Sequence, residues 1–404
     1  MCIRDSTATA LHSKGQNQNF TVTGSWGPGA HTVTIRFLQD AYGGSATKDR
    51  NLYVNSVTYD GVVSSKTNVE LGAAGGVDFP VLASSRLAFA PGVNLSGLEL
   101  NSAARPGSLG HDYVAPTTAE LDYFSSKGLK IVRLPFLWER LQPGLQAASP
   151  STAFNANYLK LITNILTYAD SKGMGVIVEP HNYAAYNGIK ITAKGGVSIA
   201  QFAAFWRQAA TALKGYHALI GYDLMNEPNT MPSPSVWPAA AQAATTAIRQ
   251  VDMATPIVIE GDYWSGAPTW QTVNGNLNIV DPASSLIYQT HVYGDRDNSG
   301  SHFTWSDEVA NGVTVNTIAQ RVAVFDQWCH NKAATCMVGE VGVGDDSPNW
   351  NTQLANGLAQ MKADGLVSAT YWVAGPWWTN YAMSIEPQKG VDRSQMSVLT
   401  SFVN

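Results

Sequence analysis

Charge is scarce in this chain: only 14% of its 404 residues are Asp, Glu, Lys or Arg, where an average soluble protein carries about a quarter. With a net charge of -5 and a pI near 5.9, it offers no basic stripe for a nucleic acid and no polybasic patch for an anionic membrane. Long hydrophobic runs are missing as well, and no apolar stretch approaches the roughly 20 residues that span a bilayer. Cysteine is rare, with three in all. Cys329 and Cys336 lie close enough for a local disulfide in an oxidising compartment, and a pair of buried thiols is the other open reading. Cys2 has no near partner. The first residues, Met1 to Ser6, contain no apolar export segment, although the rest reads as secreted and extracellular; a truncated or artefactual start is the expectation. What the chain does have is Gly (36), Trp (12) and Tyr (16), a composition suited to neutral polar ligands.

Residues 17 to 83 read as short strands with period-two patterning, at 19–23, 31–37, 51–59 and 77–81, separated by Gly, Asp and Asn. They predict a small all-β sandwich module over residues 1–83, joined by Ala83-Ser-Ser85 to the remainder of the chain. From about residue 87 the pattern changes to apolar runs alternating with helix-period segments. The runs fall at 92–95, 130–134, 175–178, 220–225, 256–259, 286–290, 337–339 and 369–372. Continuous apolar runs indicate parallel strands buried on both faces. Between them, Thr117-Thr-Ala-Glu120 has capping-box spacing, Tyr158, Ile162, Ile165, Leu166 and Ala169 share one helical face, and so do Ile199, Phe202, Trp206, Ala209 and Leu213. Eight such alternations predict an α/β fold, a (β/α)8 TIM barrel over residues 87–404.

Barrel enzymes act through side chains at the C-terminal ends of their strands, and those ends are polar or aromatic here. They carry Arg133, His181 and Asn182, Asn226 and Glu227, His291 and Tyr293, Glu340, and Trp372. Glu227 and Glu340 end two apolar runs, and a pair of carboxylates delivered into a cleft is the equipment of glycoside hydrolysis. One must carry a proton for the leaving group and the other must be an anion.

These segments, Arg133-Leu-Pro135, His181-Asn-Tyr183, Tyr186-Asn-Gly188, Leu224-Met-Asn-Glu-Pro228, His291-Val-Tyr293, Asp297-Asn-Ser-Gly-Ser-His302, Gly339-Glu340 and Trp372, resemble glycoside hydrolase family 5, with Ala374-Gly-Pro-Trp-Trp378 closest to its cellulases. The resemblance implies that Glu227 is the acid/base and Glu340 the nucleophile of a retaining endo-β-1,4-glucanase, with no cofactor for catalysis. Arg133 and Tyr293 are suited to hold Glu340 as an anion, His181 and His291 to shape the proton network, Asn226 to bond the sugar 2-hydroxyl, and Trp372 to offer a flat face. Asn182 belongs to the same substrate-binding set. Trp138, Trp264, Tyr183, Trp377 and Trp378 follow strand ends; for each, stacking on a sugar and packing in the rim are both open.

The segment from His31 to Gly61, with Gln39-Asp-Ala-Tyr-Gly-Gly44 and Asp49-Arg-Asn-Leu-Tyr-Val54, resembles calcium-dependent xylan-binding modules. The resemblance makes Asp40 and Asp49 the candidate calcium ligands, since calcium takes hard oxygens on loops; a plain Asp/Gly turn is the alternative. It covers only the later part of such a module. The expected substrate is a β-linked polysaccharide, cellulose or a related glucan, met by a monomer that binds neither nucleic acid nor membrane. Mixed-linkage glucan, xyloglucan and mannan stay open as substrates. A non-catalytic binding protein is disfavoured by the presence of both carboxylates, and a metal-dependent barrel hydrolase by a first strand without His-x-His.

Overall fold

The structure, a computed structural model, describes residues 7–21, 30–42, 44–45, 49–59, 62–64, 66–82, 89–146 and 151–403. Cys2, the Met1 to Ser6 start, the Ala83-Ser-Ser85 junction and Gly43 of the loop motif lie outside the described residues. The chain forms two compact units, Met1–Ser85 and Arg86–Asn404.

In the larger unit eight strands close into a barrel. They are β1 (Ala90–Leu95), β2 (Ile131–Phe136), β3 (Gly175–Pro180), β4 (Leu219–Asp223), β5 (Ile257–Glu260), β6 (Leu286–Tyr293), β7 (Cys336–Gly342) and β8 (Ser368–Ala374). Every neighbouring pair is parallel, and β8 closes onto β1. Each expected run contains a strand, although β4 stops at Asp223, short of Leu224 and Met225, while β3 and β5 continue past their apolar residues to include Glu179 and Glu260.

The helices between strands form because one face of each finds the barrel. The helix Ala156–Ser171 buries Tyr158, Ile162, Ile165, Leu166 and Ala169, the face expected from spacing. Large apolar side chains stabilise by about 1.5–3 kcal/mol each when fully buried, so packing rather than propensity maintains this helix. Thr117 and Glu120 close the capping box before the helix Thr118–Ser126, and Ser198 with Gln201 does the same before Ile199–Leu213. A disulfide joins Cys329, in the helix Thr317–Lys332, to Cys336 at the start of β7.

Strand alternation decides what fills the barrel. Val132 and Leu134, Val176 and Val178, and Ile257 and Ile259 belong to the core shared with the helices. The residues between them face the axis. At one level Ile177, Val258, Met337 and Val367 make a separate apolar plug. Toward the C-terminal end the next inward positions are polar and buried: Asn94, Arg133, Glu179, Asp223, Glu260, Gln289 and Thr370.

In the smaller unit Ala30–Phe37 pairs antiparallel with Gly75–Leu82, Leu52–Val54 with Val69–Leu71, and Thr58–Tyr59 with Val62–Val63. The single strand expected over 51–59 is interrupted at 55–57, and its two pieces take different partners. Residues 19–21 form no strand, and the rest of that expected strand lies outside the described residues. Val54 and Phe79 are this unit's buried apolar side chains among the described residues.

Candidate active site at the barrel rim

Arg133, on β2, is fully buried, at 0% exposure. Its guanidinium fans across the barrel: Nε donates to Asp223 Oδ2 at 2.8 Å, Nη1 to Asn94 Oδ1 at 3.0 Å and Glu340 Oε1 at 2.9 Å, and Nη2 to Asn226 Oδ1 and Glu260 Oε1, both at 2.9 Å. Glu179 Oε1 lies 3.5 Å from Nη1. Only a planar fork with five N–H donors can serve so many acceptors at once. One cation cannot neutralise every carboxylate around it. Burial accordingly pushes Glu179 up to about 7 against the opposing pull of Arg133 and His181, and Asp223 up to about 6 against Arg133.

Glu340, on β7, has a donor at each oxygen: Arg133 Nη1 at Oε1 and the Tyr293 hydroxyl at Oε2. That pairing stabilises an anion. The glycine before it is needed for space, because a Cβ on Gly339 would collide with the Gln289 amide group. The Asp297-Asn-Ser-Gly segment supports Tyr293: Asn298 Oδ1 accepts from Tyr293 N–H at 2.9 Å. Gly300, at φ +66°, lies against the Tyr293 ring, where a Cβ would come within 2.9 Å.

Glu227 follows β4 and faces Glu340, one carboxyl oxygen of each lying within 4.8 Å of the other and of a His291 nitrogen. His291 Nδ1 is 2.7 Å from Glu227 Oε1 and 3.6 Å from Glu340 Oε2. Burial raises the Glu227 pKa above the ordinary value of 4.5; His291 opposes the shift, while the negative charges of Glu340 and Glu260 add to it. Burial disfavours the charged form of His291, but the carboxylates of Glu260 and Glu340 outweigh it and hold the ring well above its usual pKa. The site therefore keeps a transferable proton at pH values where a solvated glutamate has lost its own. For kcat/KM on a soluble β-glucan, the alkaline limb is expected to lie above the ordinary glutamate range and to disappear in Glu227→Gln; a limb centred near 4.5 would show that burial does not tune this group.

His181 joins the network from β3's end. Its Nδ1 meets Glu179 Oε1 at 2.7 Å, its Nε2 lies 3.3 Å from Asn226 Nδ2 and 3.2 Å from the Tyr183 hydroxyl, and its ring stacks on Trp372 at 5.4 Å. Burial opposes its charge, yet Glu179 pushes it up to about 9. Exposed aromatic faces remain at Tyr183 (39%), Trp264 (43%) and Trp377 (44%).

Three expected sugar contacts need correction. Trp138 is 0% exposed, packed against Tyr186, Phe202 and Phe205, because the chain turns into a short helix at that residue and directs the indole into the core. Asn182 accepts from Trp138 N–H and donates to Glu139, so its amide is occupied in shaping the loop. Arg133, counted in the substrate-binding set as well as beside Glu340, lies beneath the rim, where it reaches Glu340 and Asn226 and not substrate; its part is the hold on Glu340. Glu179, Asp223, Glu260 and Gln289 complete the buried network without being evident from sequence; their available signal is a charged or amide residue within or closing an otherwise apolar run.

Among the described residues two groups bring three His or carboxylate ligand atoms within 4.8 Å: Glu227, His291 and Glu340, and Asp295, Asp297 and His302. Neither contains Asp40 or Asp49. Those two lie on facing segments, since Tyr42 bridges Asp49 and Arg50 N–H donates to Ala41 O at 3.2 Å. Both are exposed carboxylates closing one loop, a donor type that suits calcium.

Residues 88–377 match the family described as cellulase, glycosyl hydrolase family 5. The chain belongs to glycosyl hydrolase family 5. It is thus a glycoside hydrolase of a retaining family. Residues 3–71, ahead of the family 5 barrel, match a calcium-dependent, xylan-binding carbohydrate-binding module. Probable endo-β-1,4-glucanase B of Neosartorya fischeri is 33% identical over 303 residues, 74% of this chain and 86% of its own length. A manganese-dependent endoglucanase of Phanerodontia chrysosporium is also 33% identical, over 73% of this chain and 75% of its own. The Pseudomonas stutzeri endoglucanase Cel5A, solved in complex with cellobiose, superimposes with a TM-score of 0.73 at 36% identity, covering 78% of this chain and 92% of that one.

Proposed function

We propose that this family 5 barrel is a secreted endo-β-1,4-glucanase that cleaves internal bonds of a β-glucan by double displacement. The carrying observation is that Glu227 and Glu340 each bring a carboxyl oxygen within 4.8 Å of the other and of a His291 nitrogen, which supports the shorter of the two spacings that glycosidases use. Retaining enzymes hold their carboxyl groups about 5–5.5 Å apart, whereas inverting enzymes leave about 6.5–9.5 Å for a water. Glu340, anionic between Arg133 and Tyr293, attacks the anomeric carbon as Glu227 gives its proton to the departing glycosidic oxygen. The glycosyl–Glu340 ester is then opened by a water whose proton returns to Glu227, and the configuration is retained. Asn226 bonds the 2-hydroxyl at the cleavage point, Trp372 carries the sugar ring, and Tyr183, Trp264 and Trp377 line an open cleft. Relatives called endo-β-1,4-glucanase support β-1,4-glucan over mannan or xyloglucan, and the Cys329–Cys336 disulfide supports export.

The N-terminal unit serves as the polysaccharide anchor in this reading. Asp40 and Asp49 would hold a calcium ion there, which supplies a bridge from carboxylates to sugar hydroxyls. Reducing ends should be released from carboxymethyl cellulose and mixed-linkage glucan well ahead of mannan and xylan. EDTA should weaken retention on insoluble xylan while leaving hydrolysis of a short soluble oligosaccharide unchanged. Preference for mannan or xylan would overturn the substrate assignment. Loss of both activities under chelator would instead place a metal in the hydrolytic step.

A further inference from the structure

Glu260 is fully buried at the end of β5 and touches the proton donor's surroundings at two points. Its Oε2 accepts the backbone N–H of Glu227 at 2.7 Å. Its Oε1 accepts from Arg133 Nη2 at 2.9 Å and Gln289 Nε2 at 2.8 Å, and lies 3.4 Å from His291 Nε2. The opposite nitrogen of that imidazole, Nδ1, meets the Glu227 carboxyl at 2.7 Å. One carboxylate thus contacts the main chain of Glu227 directly and its side chain through a single ring.

The backbone at Glu227 needs such a hold. Its φ is +45°, in the left-handed region that is unfavourable for a non-glycine residue and persists only where the surroundings impose it; the following residue, Pro228, narrows the options further. A charge-assisted bond to the N–H of that residue supplies the constraint. Both Glu260 oxygens face donors only. An amide fits neither way round, because its NH2 would oppose Glu227 N–H or the Arg133 and Gln289 donors.

We propose that Glu260 is a positioning residue for the acid/base, fixing the strained backbone of Glu227 and the imidazole that aims its carboxyl group. The proposal rests on Glu227 being the acid/base, as assigned above. It requires that loss of Glu260 impair proton delivery more than nucleophilic attack.

Leaving-group dependence separates the two. Cellotetraose needs a proton on its departing oxygen; 2,4-dinitrophenyl β-cellobioside does not. For Glu260→Gln and Glu260→Ala, with active sites counted by 2,4-dinitrophenyl 2-deoxy-2-fluoro-β-cellobioside, kcat/KM on cellotetraose should fall about 100-fold, the lower end of what acid–base catalysis contributes. On the dinitrophenyl substrate it should fall by less than about threefold, since no proton transfer is lost there. Asp223→Ala, which removes an acceptor of Arg133 and Gln289 without touching Glu227 or His291, should affect both substrates alike. Equal losses on both substrates in the Glu260 variants, or failure of those variants to react with the fluorosugar, would overturn the proposal by making Glu260 a general support of the site. Glu227→Gln measured alongside must show the same discrimination; if it does not, the acid/base assignment fails instead.

Discussion

Glu340→Gln is expected to lose at least about 10⁴-fold in kcat on carboxymethyl cellulose, about 5 kcal/mol of transition-state stabilisation, with an unchanged circular dichroism spectrum. The amide still accepts from Arg133 or Tyr293, so the barrel retains its packing, but a neutral group cannot form the glycosyl ester. Glu227→Gln should lose about 10²–10⁴-fold, the range of a general acid–base contribution. Because each variant removes a different step, each has its own rescue. Azide should restore turnover of an activated cellobioside in Glu340→Gly with inverted product, the small anion occupying the space of the lost carboxylate. In Glu227→Ala it should intercept the ester and give product of retained configuration. Near-wild-type rates in either Gln variant, or azide products of the opposite stereochemistry, would sink the assignment.

Arg133→Ala carries the largest expected cost in stability. Removing one partner of a buried ion pair costs about 3–5 kcal/mol, and here a single cation faces Glu179, Asp223, Glu260 and Glu340. A loss at the upper end corresponds to roughly 10 °C in melting temperature for a domain of this size. Arg133→Lys should recover only part, since a point charge cannot span so many separate acceptors. The deficit should also depend on pH. Glu179 and Asp223 already have raised pKa values in the native state, about 7 and 6, so their ionisation costs stability as pH rises. Without Arg133 the native carboxyls hold their protons to still higher pH and bind more of them than the wild type does. The gap between variant and wild type should therefore widen from about pH 5 to about pH 8. Melting curves across that range check this; a gap that is constant or narrows with pH would mean the carboxylates find other counter-charges.

Much of this was legible in the chain because the information is local. Period-two and period-3.6 patterning is set by which neighbours along the sequence share a face, so the apolar runs, the helical faces at Tyr158–Ala169 and the capping box at Thr117 mark their elements without knowledge of the fold. Eight runs in alternation with helices have few ways to bury their apolar faces other than a closed barrel. Once the barrel is granted, residues at strand ends fall on one rim, which is why Glu227, Glu340, His291 and Tyr293 could be placed together from sequence.

Tertiary structure alone decided what those residues touch. Arg133 looked like a rim group, yet alternation along β2 turns it to the axis, where side chains from β1, β3, β4, β5 and β7 converge on it. For Trp138 the sequence leaves a sugar platform and packing both open, and a change in backbone direction just past β2 sends it into the core. Glu260 carried no local sign beyond closing an apolar run; its hold on the Glu227 backbone exists because β4 and β5 are adjacent in a closed sheet. The period and polarity of each strand are properties of its own residues, but the distance between two side chains contributed by different strands is a property of closure, and closure depends on all eight strands at once.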